Sequence, residues 1–187
     1  AVMAGLVWVL LVSYRRPSWK LLVAAPALMG LLTLVHPFDV AVFGPLLVAH
    51  FVACRLWVGG RWMWADLSAL VGVAPPALLF LWQMRTNPVF AAWSAQNVLP
   101  SPPMLSYMLG FGAVLVLAVS GLLIVRHRPA RSCADWLVLL WLAVTVVMIN
   151  AGPVVSFERR CIEGAHIPLS LLAGIGMVGW LLPWLRQ

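Results

Sequence analysis

Acidic side chains are scarce in this chain, with five Asp and Glu among 187 residues, and charged residues of both signs make up only 9% of it. Soluble domains usually carry about 25% charged residues. Hydrophobic residues reach 64% of the chain, against about 45 to 50% in soluble domains. This composition excludes an ordinary water-soluble globule, and it is too apolar for a disordered chain.

Cysteine is also rare, and the three residues Cys54, Cys133 and Cys161 form no C-x-x-C motif. Their spacing predicts neither a disulfide framework nor a metal-thiolate site, so no metal ligand is assigned. The sequence contains no sustained heptads, P-loop, G-x-S-x-G motif or zincin helix. Coiled coils and the enzyme classes that depend on these motifs are therefore excluded.

Long apolar runs dominate what remains, and a helix needs about 20 mainly apolar residues to cross a membrane. The apolar stretch at residues 1–14 is shorter, and we interpret it as the end of a truncated span in a fragment of a longer chain. The prediction is an all-α polytopic membrane protein forming one domain over residues 1–187, with six full spans at Trp19–Val35, Val40–Val58, Leu67–Met84, Met104–Val125, Trp136–Gly152 and His166–Leu185.

The net charge of +7 comes from basic residues in short gaps between these runs, which indicates membrane topology and not nucleic-acid binding. One set of alternate loops contains nine basic residues and the other contains three, so the first set is predicted to be cytoplasmic. The nine are Arg15, Arg16, Lys20, Arg55, Arg61, Arg126, Arg128, Arg131 and Arg186, and the three are Arg85, Arg159 and Arg160. Six tryptophans are expected at the cytoplasmic interface: Trp19, Trp57, Trp62, Trp64, Trp136 and Trp184.

Most of the remaining polar residues fall in loops 36–39, 85–103 and 153–166, all predicted on the outer side of the membrane. In the first loop, Asp39 is a candidate general base or metal ligand beside His36, or else the N-cap of the next helix. Within the spans, His50 and Asn150 are the main candidates for buried polar residues.

The second loop is predicted to form an interfacial helix near 87–98, with Asn87 as N-cap and Pro88 at its first position. It either seals the bundle or acts as a lid, with Trp93 stacking on a sugar and Gln96 or Asn97 donating hydrogen bonds. Arg85 stands at the start of this loop as a candidate phosphate ligand.

The third loop concentrates ionisable groups. If it is helical, Arg159, Glu163 and His166 share one face, and the Arg159–Arg160 pair suits a phosphate. A loop closed by its own salt bridges is the alternative, with Arg159 and Glu163 as the expected pair. Candidate substrate-binding residues are Arg85, Trp93, Gln96, Asn97, Glu158, Arg159, Arg160, Glu163 and His166.

Two further patterns predict helix shape and not chemistry. Residues 174–179 match the G-x-G-x-x-G fingerprint, but they lie inside a predicted span with no preceding strand, so close helix packing is expected. The pair Pro75–Pro76 lies in the middle of another span and should kink it.

Together, the strings at 36–39 (HPFD), 87–103 (NPVF through QN to SPP) and 157–168 (FERR to HIP) resemble the C-terminal half of bacterial GT-C-type glycosyltransferases. These are mannosyltransferase-like membrane proteins related to lipopolysaccharide core and arabinose transferases. The resemblance implies inverting transfer of a sugar from a polyprenyl-phosphate carrier to an acceptor hydroxyl at the outer membrane face. The implied partners are membrane lipid and the lipid-linked sugar. No cofactor is assigned, and a divalent metal ion is left open.

The family's usual catalytic acid lies in a first outer loop that has no counterpart here before Ala1. Either this chain lacks the front that carries it, or Asp39 has taken its role, or the protein binds without catalysing. The alternatives to a transferase are a transporter or flippase for a lipid-linked or small anionic solute, and a non-catalytic assembly subunit.

Overall fold

Helices account for most of the chain in a computed structural model that describes residues 1–59, 63–152, 155 and 157–186. Two short 3₁₀ segments, Pro37–Asp39 and Glu158–Ile162, and a π turn at Met177–Leu181 interrupt them, and the described residues contain no strand. The all-α prediction is confirmed. The α-helices are α1 (Val2–Arg15), α2 (Trp19–Val35), α3 (Val40–Trp57), α4 (Trp64–Val71), α5 (Ala74–Thr86), α6 (Pro88–Gln96), α7 (Met104–Arg126), α8 (Cys133–Met148), α9 (His166–Gly176) and α10 (Leu182–Leu185).

Four helical stretches of the described chain are long and apolar enough to cross a membrane, which agrees with a helical membrane protein. The predicted count of six full spans is not confirmed, because α2 and α8 have only 17 and 16 residues. The four stretches are Pro37–Trp57, Trp64–Thr86, Met104–Arg126 and Glu158–Leu185.

The buried apolar side chains form two clusters. The larger one joins α1, α2, α3, α4 and α8, with the edge of Trp141 against the ring of Phe43 at a centroid distance of 5.0 Å. The smaller one joins α7 and α9 around Ala118, Val125 and Leu172. Many large apolar side chains remain exposed, for example Val52, Leu79 and Val116. Lipid is the solvent that such surfaces suit.

Glycine allows α7 and α9 to approach each other closely. A Cβ atom built on Gly176 would collide with the carbonyl oxygen of Leu117, and one built on Gly121 would collide with that of Leu172. Gly174 has open space around its Cβ position. The packing role predicted for the 174–179 fingerprint is therefore confirmed at Gly176, where only a hydrogen atom fits.

The span predicted at Leu67–Met84 is broken, as the proline pair in it suggests. Helix α4 ends at Val71, and α5 begins at Ala74 with its prolines in the first turn. Prolines are tolerated there because the first helical N–H groups have no intrahelical acceptor. Gly72 lies at the break, against the backbone of Pro26 in α2.

The polar loops lie at the two ends of the bundle. At one end, the ring of Trp57 in α3 stacks on Trp136 in α8 at 4.8 Å. At the other end, Phe38, just before α3, contacts Phe157, beyond α8, at 4.9 Å. We call the second end the three-loop end, comprising residues 36–39, 85–103 and 157–166, and the first the His50 end. Arg61, Trp62 and residues 153, 154 and 156 of the predicted loops lie outside the described residues.

Candidate functional site

The three loops that were expected to converge do meet at one end of the bundle. His36 Nδ1 lies 3.9 Å from Glu163 Oε2, which links the first loop to the third. The backbone N–H of Arg159 donates to the carbonyl oxygen of Leu99 at 3.1 Å, which links the third loop to the second. The residues that sequence reasoning grouped by sidedness are therefore neighbours in space.

Asp39 is held by the turn that Pro37 imposes. Helix α2 ends at Val35, and residues 37–39 form one 3₁₀ turn in which the Asp39 N–H donates to the His36 carbonyl at 3.1 Å. Asp39 precedes α3, but its side chain makes no capping hydrogen bond. The predicted capping role of this side chain is thus wrong. The carboxylate is 5% exposed and lies near the charges of His36 and Glu163.

An open cavity of about 470 Å³ lies beside this turn. It runs between the end of α2, the 3₁₀ turn, α5 and α6, and most of its wall is aromatic or aliphatic. Ser94 and Asn97 supply polar groups. Trp93, half exposed, belongs to this wall, together with Leu34, Val35, Pro37, Phe38, Phe80, Met84, Phe90 and Phe157.

The short helix on the cavity's flank is α6, as predicted. The Asn87 side chain accepts hydrogen bonds from the N–H groups of Val89 and Phe90 at 3.0 and 3.2 Å. This cap fixes the start of α6 and sets Phe90 near Phe80, with ring centroids 6.2 Å apart. Gln96, on the same helix, is exposed and does not line the cavity.

Arg160 stands at the edge of the cavity. Its guanidinium carbon lies 4.7 Å from the centre of the Phe38 ring, a cation–π geometry. Nη1 is 3.5 Å from Glu163 Oε1, and the buried Nε finds no hydrogen-bond acceptor among the described residues. The side chain as a whole is 37% exposed, and a planar guanidinium next to an apolar cavity can bind a phosphate.

The local structure of the third loop differs from the expected helix. Residues Glu158–Ile162 form a 3₁₀ segment, so the condition under which Arg159, Glu163 and His166 would share one α-helical face is not met. Arg160, and not Arg159, pairs with Glu163, while the exposed His166 directs Nδ1 to the Glu163 carbonyl oxygen at 2.9 Å. The 3₁₀ repeat of three residues per turn brings i and i+3 together.

Two other predicted ligands do not face the cavity. Glu158 is buried, and its Oε2 accepts a hydrogen bond from the Ser101 N–H at 3.1 Å, which ties the second loop to the third. Arg85 is exposed at the end of α5, and it forms no ion pair within the described part of the chain. These positions favour a structural role for Glu158. Arg85 is not among the residues that line the cavity.

A second polar cluster, which the sequence prediction did not assemble, is buried at the His50 end. His50 Nδ1 lies 2.8 Å from Asp66 Oδ2, and both side chains are fully buried. The Tyr14 hydroxyl donates to Asp66 Oδ1 at 3.2 Å. Asn150, the other expected buried polar residue, is exposed instead and donates to the Val146 carbonyl oxygen.

Asp66 escaped sequence analysis because it stands at the boundary of an apolar run, where a carboxylate is ordinarily solvated. An acidic residue in the first turn of a helix, here α4 beginning at Trp64, does not by itself indicate a buried carboxylate. The packing of α4 against α1, α2 and α3 buries it, and that packing is tertiary structure.

Comparison with known proteins gives no relative: no family model, no curated protein and no solved structure matches this chain. The function is therefore argued from the two polar clusters and the cavity.

Proposed function

We propose that this protein is an integral membrane glycosyltransferase, or the C-terminal half of one, that moves a sugar from a polyprenyl-phosphate carrier to an acceptor. One observation carries the proposal. An aromatic-walled cavity of about 470 Å³ shares Phe38 with the guanidinium of Arg160, whose side chain is partly exposed. A lipid-linked sugar phosphate combines the same two properties, an apolar portion and a compact anion.

The cavity wall suits the uncharged portion of the substrate. The rings of Phe38, Phe90 and Trp93 offer apolar faces to the C–H face of a sugar or to prenyl units, and binding there buries apolar area. Ser94 and Asn97 place a hydroxyl and an amide at the same wall. Sugar hydroxyls need such partners once they leave water.

Arg160 suits the phosphate. When the bond between the sugar C1 and the phosphate oxygen breaks, negative charge develops on the departing polyprenyl phosphate. A guanidinium held in place against Phe38 stabilises that charge with little reorganisation. Arg159 is exposed one residue away and adds to the positive potential at the mouth.

Asp39 is the candidate base. In an inverting transfer the acceptor oxygen bonds to C1 as the C1–phosphate bond breaks, and a carboxylate takes the acceptor's proton. Asp39 makes no hydrogen bond to cap α3, has His36 beside it, and follows Phe38, which lines the cavity. His36 would then position and electrostatically tune this carboxylate.

The proposed orientation places the three-loop end outside a bacterial inner membrane. The support is the distribution of basic residues, nine in one set of alternate loops and three in the other, which favours the three-loop end as the outer one. At that side a polyprenyl-linked donor can reach the cavity laterally from the lipid, and no soluble nucleotide is needed.

The test is sugar transfer from a polyprenyl-phosphate sugar by the protein in nanodiscs, together with binding of polyprenyl monophosphate. We expect Asp39→Asn to abolish transfer with binding retained, and Arg160→Ala to weaken both at least tenfold. Arg186→Ala, the same change at the opposite end, is the matched control. Normal transfer by both site variants would refute the proposal.

A transporter or flippase for a lipid-linked or small anionic solute is the second candidate, because two helices are interrupted. The helical conformation is interrupted near Gly72, between α4 and α5. Inside α7, Gly112 has non-helical angles of φ 47° and ψ −124°. Broken helices are a feature of transporter sites. Movement of the lipid-linked sugar across liposomes without transfer would favour this candidate.

A further inference from the structure

The buried cluster at the His50 end has no part in the proposed sugar transfer. It brings together His50 and Cys54 of α3 with Cys133, the first residue of α8. One ligand atom from each of the three lies within 4.8 Å of the others, and the Cys54 sulfur is 3.2 Å from His50 Nε2. These are two thiols and an imidazole at one point in an otherwise apolar bundle.

The protons on His50 follow from its neighbours. Nε2 faces the carbonyl oxygen of Cys133 at 2.8 Å, which can only accept, so Nε2 carries a hydrogen. Another proton lies in the 2.8 Å contact between Nδ1 and Asp66 Oδ2, whichever of the two atoms holds it. The His50–Asp66 pair therefore has no net charge, which suits a site with no exposed surface.

We propose that His50 Nε2, Cys54 Sγ and Cys133 Sγ form a binding site for a thiophilic divalent metal ion, Zn²⁺, with Asp66 as the residue that orients the imidazole. Zinc sites use imidazole nitrogen and thiolate sulfur, and a site with three protein ligands leaves the fourth position open. The described structure also supplies the carboxylate–histidine contact that typically accompanies a zinc-bound imidazole.

The distances require only a small closure. In a tetrahedral site with Zn–S about 2.3 Å, two sulfur ligands lie about 3.8 Å apart, so ligand atoms that now lie within 4.8 Å of one another have to move by at most about 1 Å. The hydrogen bond from Nε2 to the Cys133 carbonyl is replaced by the metal bond. Because that carbonyl belongs to the first turn of α8, the ion would join α3 to α8.

Binding of the ion changes the net charge of the site. Binding removes the proton from Nε2 and one from each thiol, three in all, while the ion brings two positive charges. The site changes from neutral to −1, with the remaining charge on Asp66, which keeps its hydrogen bonds from Tyr14 and from His50 Nδ1. Arg15 lines the adjoining cavity and offsets this charge.

That cavity also supplies an entry path. It has a volume of about 570 Å³, opens to the surface, and is lined by Cys54 and Cys133 together with Met63 and Tyr14. A water or small ligand can therefore reach the fourth position. Thiolates exclude hard ions such as Mg²⁺, whereas the Met63 thioether on the same wall is a ligand type that Cu(I) accepts.

The test uses the full chain, purified in detergent under reducing conditions and stripped with a chelator, with Co²⁺ as the spectroscopic probe for Zn²⁺. We expect one equivalent of Co²⁺ to give thiolate-to-metal charge-transfer bands and tetrahedral ligand-field bands, which Zn²⁺ then abolishes. Absence of these bands from the folded chain would overturn the proposal. So would binding of Cu(I) with no binding of Co²⁺ or Zn²⁺.

Variants locate the site. Cys54→Ser and Cys133→Ser should each remove the charge-transfer bands or shift them with at least tenfold weaker binding, and Asp66→Asn should weaken binding by about 10- to 100-fold. Cys161→Ser, a buried cysteine at the opposite end, is the matched control and should bind normally. Unchanged bands in Cys133→Ser would exclude this site.

A measurement on the unmodified chain removes dependence on how the variants fold. Zn²⁺ should slow alkylation of Cys54 and Cys133 at least tenfold, and leave the rate at Cys161 unchanged. Equal rates with and without Zn²⁺ would contradict the proposal. None of these readouts involves sugar transfer, so the metal site and the proposed function can fail separately.

Discussion

Burial makes the hydrogen bonds of the Asp66 carboxylate important for stability. This carboxylate would cost several kcal/mol if it were isolated in an apolar interior, yet it accepts a hydrogen bond from Tyr14, shares a proton with His50 Nδ1 and loses all exposure. Buried pairs of this kind are strongly destabilised when one partner is removed, because the other is left unpaired.

For the residue scale we therefore predict graded losses of stability. Asp66→Ala should lower the free energy of unfolding by about 3 to 5 kcal/mol, whereas Tyr14→Phe should lower it by about 1 kcal/mol, since Asp66 keeps its bond to His50. Thermal unfolding in detergent measures both. Tyr107→Phe, which removes the hydroxyl that contacts Ser101 in a less buried setting, is the control. An effect of Tyr107→Phe as large as that of Asp66→Ala would contradict this explanation.

Single residues were predicted best where local chemistry decides their role. Asn87 was identified as an N-cap from its own side chain and the following proline, and the structure has that cap. The Cys54–Cys133 proximity could not be predicted, because 79 residues separate them and only the packing of α3 on α8 brings them together. The Arg160–Glu163 ion pair could not be predicted either, because it depends on a 3₁₀ turn that no sequence motif in the loop indicates.

At the scale of elements, the contact between α7 and α9 is the clearest case of backbone packing. Gly176→Ala should force the two helices apart and destabilise the protein by about 1 to 3 kcal/mol. Gly174→Ala, two residues away with open space around its Cβ, should be neutral or stabilising by up to about 1 kcal/mol, since alanine favours the helix. Thermal unfolding of the two variants side by side measures the difference. Equal effects would show that Gly176 is not required by the contact.

Helix bounds followed from apolar run length and from proline, which are local signals. The predicted start and end of α2 agree with the structure, and those of α3 and α7 agree to within one residue at each end. The exact break of the Leu67–Met84 span was not predictable in the same way. Gly72 ends α4 where the chain crosses the backbone of Pro26 in α2, and that crossing is a tertiary contact.

At the scale of the whole molecule, the proposed sidedness gives a direct prediction. In a cysteine-free background in sealed cells, Gln96→Cys should react with a membrane-impermeant thiol reagent added outside. Arg128→Cys should react only after the membrane is permeabilised. Both residues are exposed, so exposure alone cannot explain a difference. Labelling of both positions from the same side would remove the basis for a site at the outer face.

The helices of this bundle also differ in length, and that has a consequence for the surrounding lipid. At 1.5 Å per residue, α7 with 23 residues reaches at most about 34 Å, whereas α8 with 16 reaches about 24 Å. A hydrocarbon layer about 30 Å thick fits neither. The acyl tails stretch beside α7 and compress beside α8, so the hydrophobic thickness of the surrounding bilayer is uneven.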